Sequence, residues 1–258
     1  MNDLRLTARQ VRFTNTAFWR NPASAFFTFV FPLLFLVVFT ALLGSGRLEV
    51  APGLFIEQDR YYVAAMGAFG LVSATYTNLA MSVTFSRDAG VLKRIRGTPI
   101  PGWVYLTGRV LHAMGIALLL VAITAAFGAA VYGADLPTGL RLGQFFSTVV
   151  VGGAAFSALG LATTSLVPNA HAAPAVVNAI VLPLLFLSGI FIPLEASSPH
   201  WIVIVGDLFP VKPFAEAVRA SFYGPPFAFV WSDLAVVAGW GVAGLLLAVR
   251  FFSWEPRR

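Results

Sequence analysis

The sequence contains no cysteine and few charged side chains, and both shortages limit what kind of protein it is. Without cysteine, a disulfide framework, a thiolate nucleophile and a Cys-based metal site are all excluded. Charged residues make up 11% of the chain and hydrophobic residues 58%, whereas soluble domains carry about 25% charged residues. These values exclude a water-soluble fold and indicate a multi-spanning membrane protein. A length of 258 residues allows roughly six or seven spans, and no separate soluble domain is expected.

Motifs for catalysis and nucleotide binding are also missing. The chain has no phosphate-binding loop of the GxxxxGK[ST] type, so energy for any driven process must come from a partner. His112, His171 and His200 are predicted at different places in the fold and do not form one site. Ser188 lacks the GxSG pattern of intramembrane serine proteases. Acidic residues inside the apolar segments lie only near their ends, which argues against a proton- or sodium-coupled carrier. We therefore expect that the chain is not an enzyme and binds no metal or cofactor directly.

Six apolar segments predict an all-α integral membrane protein with a single transmembrane domain, residues 1–258. The predicted spans lie at about 26–43, 61–85, 105–132, 142–165, 175–194 and 229–251. The stretch Leu142–Leu194 has no charge and is too long for one helix, and the turn chemistry of Pro168–Pro174 divides it in two. The segment before the first span is polar, so that span is expected to act as an uncleaved signal anchor.

The distribution of positive charge predicts the orientation. With six spans both termini share one side, which holds 12 of the 17 Lys and Arg residues and three of the 11 acidic residues. The positive-inside rule then predicts that both termini are cytoplasmic. The same rule explains the net charge of +6 more simply than nucleic-acid binding does, so the lipid membrane is expected as a partner and nucleic acid is not.

Two regions outside the spans have helical patterns of their own. Asp3–Arg20 predicts an amphipathic helix in the membrane interface, with an apolar face formed by Leu4, Ala8, Val11 and Phe18. Ser198-Pro199 and Lys212-Pro213 each predict the start of a short helix, because proline is favoured in the first helical turn. The second helix is expected to stop at Gly224. Both are predicted to be re-entrant helices between spans five and six, covered by protein at their ends.

Neutral polar side chains within the spans have two interpretations. Most are expected to join neighbouring helices through hydrogen bonds. Asn78 and Asn178 are costlier to bury than hydroxyl groups and lie at similar depth, so they are better candidates for lining a substrate pathway. Thr77 and Ser188 complete the candidate set. A pathway of neutral and aromatic groups suits an amphipathic or lipid-like substrate rather than an ion.

The segment Ser86–Gly108, between spans two and three, carries the densest charge in the chain. Its spacing alone allows either a solvated loop or a coupling helix that docks on a cytoplasmic motor. In the second case the exposed apolar contacts would be Leu92 and Ile95, and the charged rim would be Lys93, Arg94 and Arg96.

The string Arg87–Pro101 (RDAGVLKRIRGTPIP) resembles the acid-x-Gly-[Thr/Val]-Leu…Arg-x-[Thr/Ser]-Pro-[Leu/Ile] signature of ABC-2-type transporter permeases. It has Val91 where many members have Thr. Phe191–Pro193, followed by Trp201 and Phe209–Val211, is similar to the exit of the fifth span and the outer helices of that family.

The resemblance implies the transmembrane subunit of a bacterial ABC exporter of the drug-resistance branch. Such a permease pairs with a second permease subunit, as a homodimer or heterodimer, and with separate ATPase subunits that use ATP and Mg. It would export a drug, antibiotic or lipid across the bacterial inner membrane by alternating access. The implied ATPase-coupling helix comprises Asp88, Gly90, Val91, Leu92, Lys93, Arg94, Ile95, Arg96 and Pro99. Two alternatives remain: a non-transporting scaffold or sensor subunit, and a polysaccharide or glycolipid exporter permease.

Overall fold

The computed structural model describes residues 3–43, 46–51, 54–194, 198–223 and 231–255, and this part of the chain is mostly helical. Helices α1 (Asp3–Trp19) and α2 (Pro22–Leu43) precede a hairpin of strands β1 (Arg47–Ala51) and β2 (Leu54–Glu57). A continuous helical run follows, made of α3 (Gln58–Val72), a π-helical segment (Ser73–Thr77) and α4 (Asn78–Asp88). The remaining helices are α5 (Val91–Arg96), α6 (Gly102–Tyr132), α7 (Leu140–Thr163), α8 (Ala173–Phe186), α9 (His200–Leu208), α10 (Val211–Tyr223) and α11 (Trp231–Phe251).

Five helical segments in the described residues are long and apolar enough to cross a membrane: α2, the α3–α4 run, α6, α7 and α11. They match the first four predicted spans and the sixth, with boundaries shifted by a few residues. At the predicted fifth span, α8 has 14 residues. It therefore rises about 21 Å, which is short of the roughly 30 Å hydrocarbon core of a bilayer. The count of six spans stays a prediction.

The chain leaves α8 as buried, non-helical backbone. Ser188 and Phe191 are buried here, and Gly189 has a φ of +73°, a conformation that favours glycine. The hydroxyls of Tyr61 and Tyr62 donate to the carbonyls of Gly189 and Phe191, at 2.5 and 3.4 Å. Non-helical backbone is tolerated at membrane depth where protein covers it and satisfies its polar groups, and both conditions are met here.

The α3–α4 run lies at the centre of the fold. In its most apolar 18-residue window 83% of the residues are buried, against 11% for α2 and 22% for α11. Small residues let neighbouring helices approach α3 closely. The small buried residues of α3 are Ala64, Ala65, Gly67, Ala68 and Gly70. The apolar side chains of α2 and α11 that remain exposed, such as Phe26 and Val242, are suited to contact lipid.

One end of the molecule, here called the basic end, contains α1, α5, the start of α6 and the segment Phe252–Trp254. Leu79, Leu92, Tyr105 and Ala248 belong to the apolar core at this end. The basic end thus joins both terminal regions of the described chain to the segment between the second and third predicted spans.

Helix α1 is present as predicted, but its buried face differs from the prediction. Thr7 and Thr14 are its buried residues, whereas Leu4 and Ala8, predicted on the apolar face, are exposed. Both threonine hydroxyls donate to the carbonyl four residues earlier, so they are satisfied within a protein contact. The exposed Leu4 leaves an apolar group available to a membrane surface, and the interfacial position stays a prediction.

The hairpin between α2 and α3 has no counterpart among the predicted elements, and it is the departure from an all-α fold. Its antiparallel register pairs Leu48 with Ile56. The two short helices predicted before the last span are present as α9, which starts after Pro199, and α10, which starts one residue before Lys212. Gly224, the predicted stop, lies outside the described residues. Re-entry of α9 and α10 into the membrane stays a prediction.

Candidate functional site

A cavity of about 480 Å³, here called the lateral cavity, lies between α2, the α3–α4 run and α8. Three of the four predicted pathway residues line it together: Thr77, Asn78 and Asn178. The rest of the lining is also uncharged and comprises Ser24, Phe27, Thr28, Phe31, Pro32, Phe69, Ser73, Val181, Leu182 and Leu185. Phe27 and Phe31 are exposed, so the cavity opens on the side of the chain.

The helical run changes its pitch where it meets the lateral cavity. The Asn78 N–H donates to the Ser73 carbonyl five residues earlier, which makes Ser73–Thr77 a π-helical turn. Such turns are rare and are frequent at functional sites. Here both Ser73 and Thr77 line the cavity. Gly160 of α7 packs behind the turn, and a Cβ at this position would lie 2.8 Å from the Tyr76 carbonyl oxygen. Glycine therefore allows α7 to support the turn directly.

The two asparagines of the cavity are weakly engaged with the protein. Asn78 Nδ2 donates to Thr28 Oγ1 at 3.5 Å, the upper limit of a hydrogen bond. Within the described residues the side-chain amide of Asn178 makes no hydrogen bond. By contrast, the buried hydroxyls of Thr75 and Thr124 donate to the carbonyl four residues earlier, at 2.7 and 2.9 Å. The asparagines therefore differ from these satisfied hydroxyls in having donors and acceptors left for a ligand.

Ser188, the fourth predicted pathway residue, does not reach the lateral cavity. It is buried in the turn after α8, where its Oγ donates to the Leu185 carbonyl at 2.7 Å and accepts the Ile190 N–H at 3.3 Å. These bonds stabilise the non-helical backbone that leaves α8. The structure thus gives Ser188 a local structural contact and corrects its placement in the candidate pathway.

The three histidines stay apart in the structure. His112 lies in α6 with its ring 5.6 Å from that of Phe18, His171 precedes α8, and His200 begins α9. Among the residues that the structure describes, no group of three or more His, Asp or Glu side chains is placed to hold a metal ion.

Two charged residues at the end of α4 hold the turn between α7 and α8. The Arg87 side chain is 1% exposed, and its two terminal nitrogens donate to the carbonyls of Thr164 and Val167 at 2.8 and 2.6 Å. Asp88 Oδ2 accepts the Ala170 N–H at 2.5 Å. A cation therefore meets the carboxyl end of α7, and an anion lies just before the amino end of α8, as the two helix dipoles favour. We call this pair of contacts the Arg87–Asp88 clamp.

Helix α5 begins immediately beyond the clamp. Gly90 has a φ of +71°, and this left-handed residue turns the chain from α4 into α5. Leu92 is fully buried in the apolar core of the basic end. The interpretation of Leu92 as an exposed apolar contact is therefore wrong: its side chain anchors α5 to its own chain. Val91 is 39% exposed and supplies an apolar group on the surface instead.

The surface of α5 and its exit is strongly basic. Lys93, Arg94, Arg96 and Pro99 are exposed, and Ile95 is half-buried. Only Ala89 and Gly90 separate α5 from Asp88, so this basic surface lies close in the chain to the Arg87–Asp88 clamp. Docking of α5 on an ATPase stays a prediction.

At the opposite end of the molecule, a buried arginine joins three elements. Arg219 of α10 donates through Nη1 to the Tyr61 hydroxyl at 2.6 Å and to the Gly189 carbonyl at 3.2 Å. Its guanidinium also lies 5.0 Å from the centre of the Tyr61 ring, and its Nη2 is 3.9 Å from Glu216 Oε1. Arg219 therefore ties the start of α3 to the chain segment after α8 and to α10.

Sequence reasoning missed the roles of Arg87, Ser73 and Arg219. Arg87 precedes Asp88, the acidic residue of the motif, and lies at the end of an apolar run. That position could have indicated an arginine with a structural contact. The π-helical turn has no sequence signature of its own. The hydrogen-bond partners of Arg219, which are Tyr61 and Gly189, lie 158 and 30 residues away along the chain, so local spacing gives no indication of them.

The ABC-2 type transporter family model matches residues 5–223, which is most of the chain. The chain belongs to the ABC-2 type transporter family. This membership is consistent with the apolar helices described above, and members of the family are transmembrane subunits rather than catalytic ones. The motif Arg87–Pro101, which pointed to this family, forms the clamp and α5.

This ABC-2 permease is also similar to two curated proteins of Escherichia coli. The probable multidrug ABC transporter permease YbhR of strain K12 is 24% identical over 173 residues, and YbhR of O157:H7 matches to the same extent. The match covers 67% of this chain and 45% of each relative, so the chain spans less than half of their length.

Proposed function

We propose that this chain is the permease subunit of an ATP-driven exporter that moves a hydrophobic or amphipathic compound, such as a drug, antibiotic or lipid. The observation that supports the proposal is the lateral cavity, whose lining is apolar and aromatic with neutral polar groups and has no charged side chain. Ion-coupled carriers place carboxylates in such positions. The similar E. coli proteins are named as probable multidrug permeases, which agrees with such a substrate.

A second permease subunit would complete the lateral cavity. The cavity opens on a face where Phe27 and Phe31 are exposed beside Asn78 and Asn178. Polar amide groups are unfavourable against lipid tails, so a protein partner is a better cover for this face than lipid. We propose a copy of this chain or a paralogue in that position.

Separate ATPase subunits would supply the energy and bind ATP and Mg. They would dock on the exposed surface of α5 at the basic end. By the positive-inside rule, the basic end and both termini would lie on the cytoplasmic side of a bacterial inner membrane. A preference of the ATPases for one conformation would shift the permease between inward-open and outward-open states. The Arg87–Asp88 clamp carries that shift to α7 and α8, and α8 lines the lateral cavity.

The first test replaces Asn178, which lines the lateral cavity. Asn178→Leu is expected to change which compounds the reconstituted permease–ATPase complex exports, or to change ATP hydrolysis stimulated by them, without lowering thermal stability. The reason is that the Asn178 side chain makes no hydrogen bond within the described residues whose loss would destabilise the fold. Ala179→Leu is the matched control, because it is the exposed neighbour on the same helix and does not line the cavity.

An unchanged substrate profile in Asn178→Leu, together with reduced thermal stability, would reassign this residue to helix packing. Absence of export in vesicles by the unmodified complex, with ATPase binding intact, would instead favour a scaffold or sensor subunit. Export of a polysaccharide or glycolipid would identify the other alternative.

The second test concerns docking of the ATPase. Val91→Asp and Arg94→Glu are expected to reduce co-purification of the ATPase at least tenfold, because they add a charge to an exposed apolar contact and reverse one of the basic groups. Both side chains are exposed, so the permease itself should fold normally. Arg5→Glu, an equal charge change on α1, is the control. Equal ATPase recovery from all variants would show that α5 only connects α4 to α6 and does not dock on the ATPase.

A further inference from the structure

A second cavity, of about 370 Å³, lies at the basic end between α1, the start of α2, α4 and α6. It is separate from the lateral cavity, although both are lined by Ser24 and Asn78. Helix α1 covers it. Gly108 of α6 allows this cover, since a Cβ there would lie 2.5 Å from Gln10 Cγ of α1.

Arg109 is the one charged residue among those that line this cavity. Its guanidinium lies 5.8 Å from the centre of the Tyr105 ring, and within the described residues it forms no salt bridge. The side chain is half-buried beside apolar walls that include Phe18 and Ile116. A partly desolvated cation without a carboxylate partner favours an anionic ligand.

Neutral polar groups lie around the same space. Asn21, Ser82 and His112 line the cavity with Arg109. Asn21 Oδ1 accepts the Ser24 N–H at 3.2 Å, which leaves its amide NH2 group as a donor. A phosphate ester with its glycerol oxygens offers acceptors for such donors, and the apolar walls suit the acyl chains attached to it.

The depth of Arg109 also fits a lipid headgroup. Trp103, near the start of α6, is 55% exposed, as is typical of tryptophan at a membrane interface. Arg109 lies six residues, or about 9 Å, further along the helix, and its guanidinium reaches back toward Tyr105, one turn nearer to Trp103. Basic pockets between helices on the cytoplasmic side of membrane proteins bind anionic headgroups.

We propose that this cavity binds the phosphate headgroup of an anionic phospholipid, with Arg109 as its counter-charge and α1 as its cover. The site does not depend on the exporter function proposed above, because it lies in a different cavity and uses Arg109, which does not line the lateral cavity. It does rest on the basic end lying at the membrane surface.

The test measures lipid retention directly. The full-length permease is purified in mild detergent with an equal mixture of phosphatidylglycerol and phosphatidylcholine, and the lipids bound per chain are counted by native mass spectrometry. The unmodified protein should retain phosphatidylglycerol at least tenfold over phosphatidylcholine. Arg109→Gln should lose most of this preference, and Arg109→Lys, which keeps the charge, should retain much of it.

Arg250→Gln is the matched control, since it removes the same charge from an exposed residue at the end of α11. Preference for phosphatidylglycerol that is equal in the unmodified protein and in Arg109→Gln would overturn the proposal. An equal loss in Arg109→Gln and Arg250→Gln would also overturn it, because the effect would then be general surface charge. Inorganic phosphate should not displace the bound lipid at millimolar concentration, and displacement would identify a simple anion site instead.

Discussion

Replacing Arg87 by Met is expected to lower the free energy of unfolding by about 3–5 kcal/mol. The reason is that two charge-assisted hydrogen bonds, to the carbonyls of Thr164 and Val167, are lost while methionine keeps the apolar part of the side chain. Because these carbonyls belong to the turn between α7 and α8, the same variant should uncouple ATP hydrolysis from export. Thermal unfolding in detergent and vesicle export, measured on the same preparation, check both expectations.

Arg94→Met removes the same charge seven residues further on, where the side chain is exposed. It should change thermal stability by less than about 0.5 kcal/mol, as is usual for surface substitutions. If Arg87→Met were as stable as Arg94→Met, the Arg87–Asp88 clamp would contribute nothing to the fold.

Adding a single methyl group at Gly160 is expected to destabilise the permease by about 1–3 kcal/mol, the usual cost of overpacking. The new Cβ of Gly160→Ala would lie 2.8 Å from the Tyr76 carbonyl oxygen and 3.3 Å from that of Thr75. These are backbone atoms of the π-helical turn, which cannot move aside as a flexible side chain would. The displaced turn should also alter the lateral cavity, because Ser73 and Thr77 line it.

Gly143→Ala on the same helix is the control, since a Cβ at that position has open space around it. It should be neutral or slightly stabilising, because alanine is the better helix former. Equal thermal stability of the two variants, with unchanged export in both, would show that α7 does not fix the position of the turn.

The membrane spans show which features of the fold can be predicted from the sequence. A run of apolar residues long enough to cross a bilayer must form a helix there, because backbone groups find no other partners in lipid. That constraint is local, so α2, the α3–α4 run, α6, α7 and α11 are readable from composition alone. It does not specify how a segment ends. The predicted fifth span is therefore a 14-residue helix whose exit is held by Tyr61 and Arg219, residues of two other elements.

The motif at residues 87–101 illustrates a second limit. Its resemblance to ABC-2-type permeases indicated the family correctly. Its spacing did not show which apolar residue faces inward, since α5 is only six residues long and both Val91 and Leu92 are apolar. Packing against Leu79, Tyr105 and the neighbouring core decides that Leu92 is buried.

The amino-acid sequence alone indicates a membrane protein, its apolar helices, its basic side and its family. These properties depend on composition and on residues close together in the chain. Helix packing, by contrast, brings Thr77, Asn78 and Asn178 into one cavity without Ser188, and it places Arg87 against a turn 77 and 80 residues away. Side-chain neighbours across helices depend on the rotation and pitch of each helix. A single π-helical turn changes both, and hydrophobic pattern alone does not encode them.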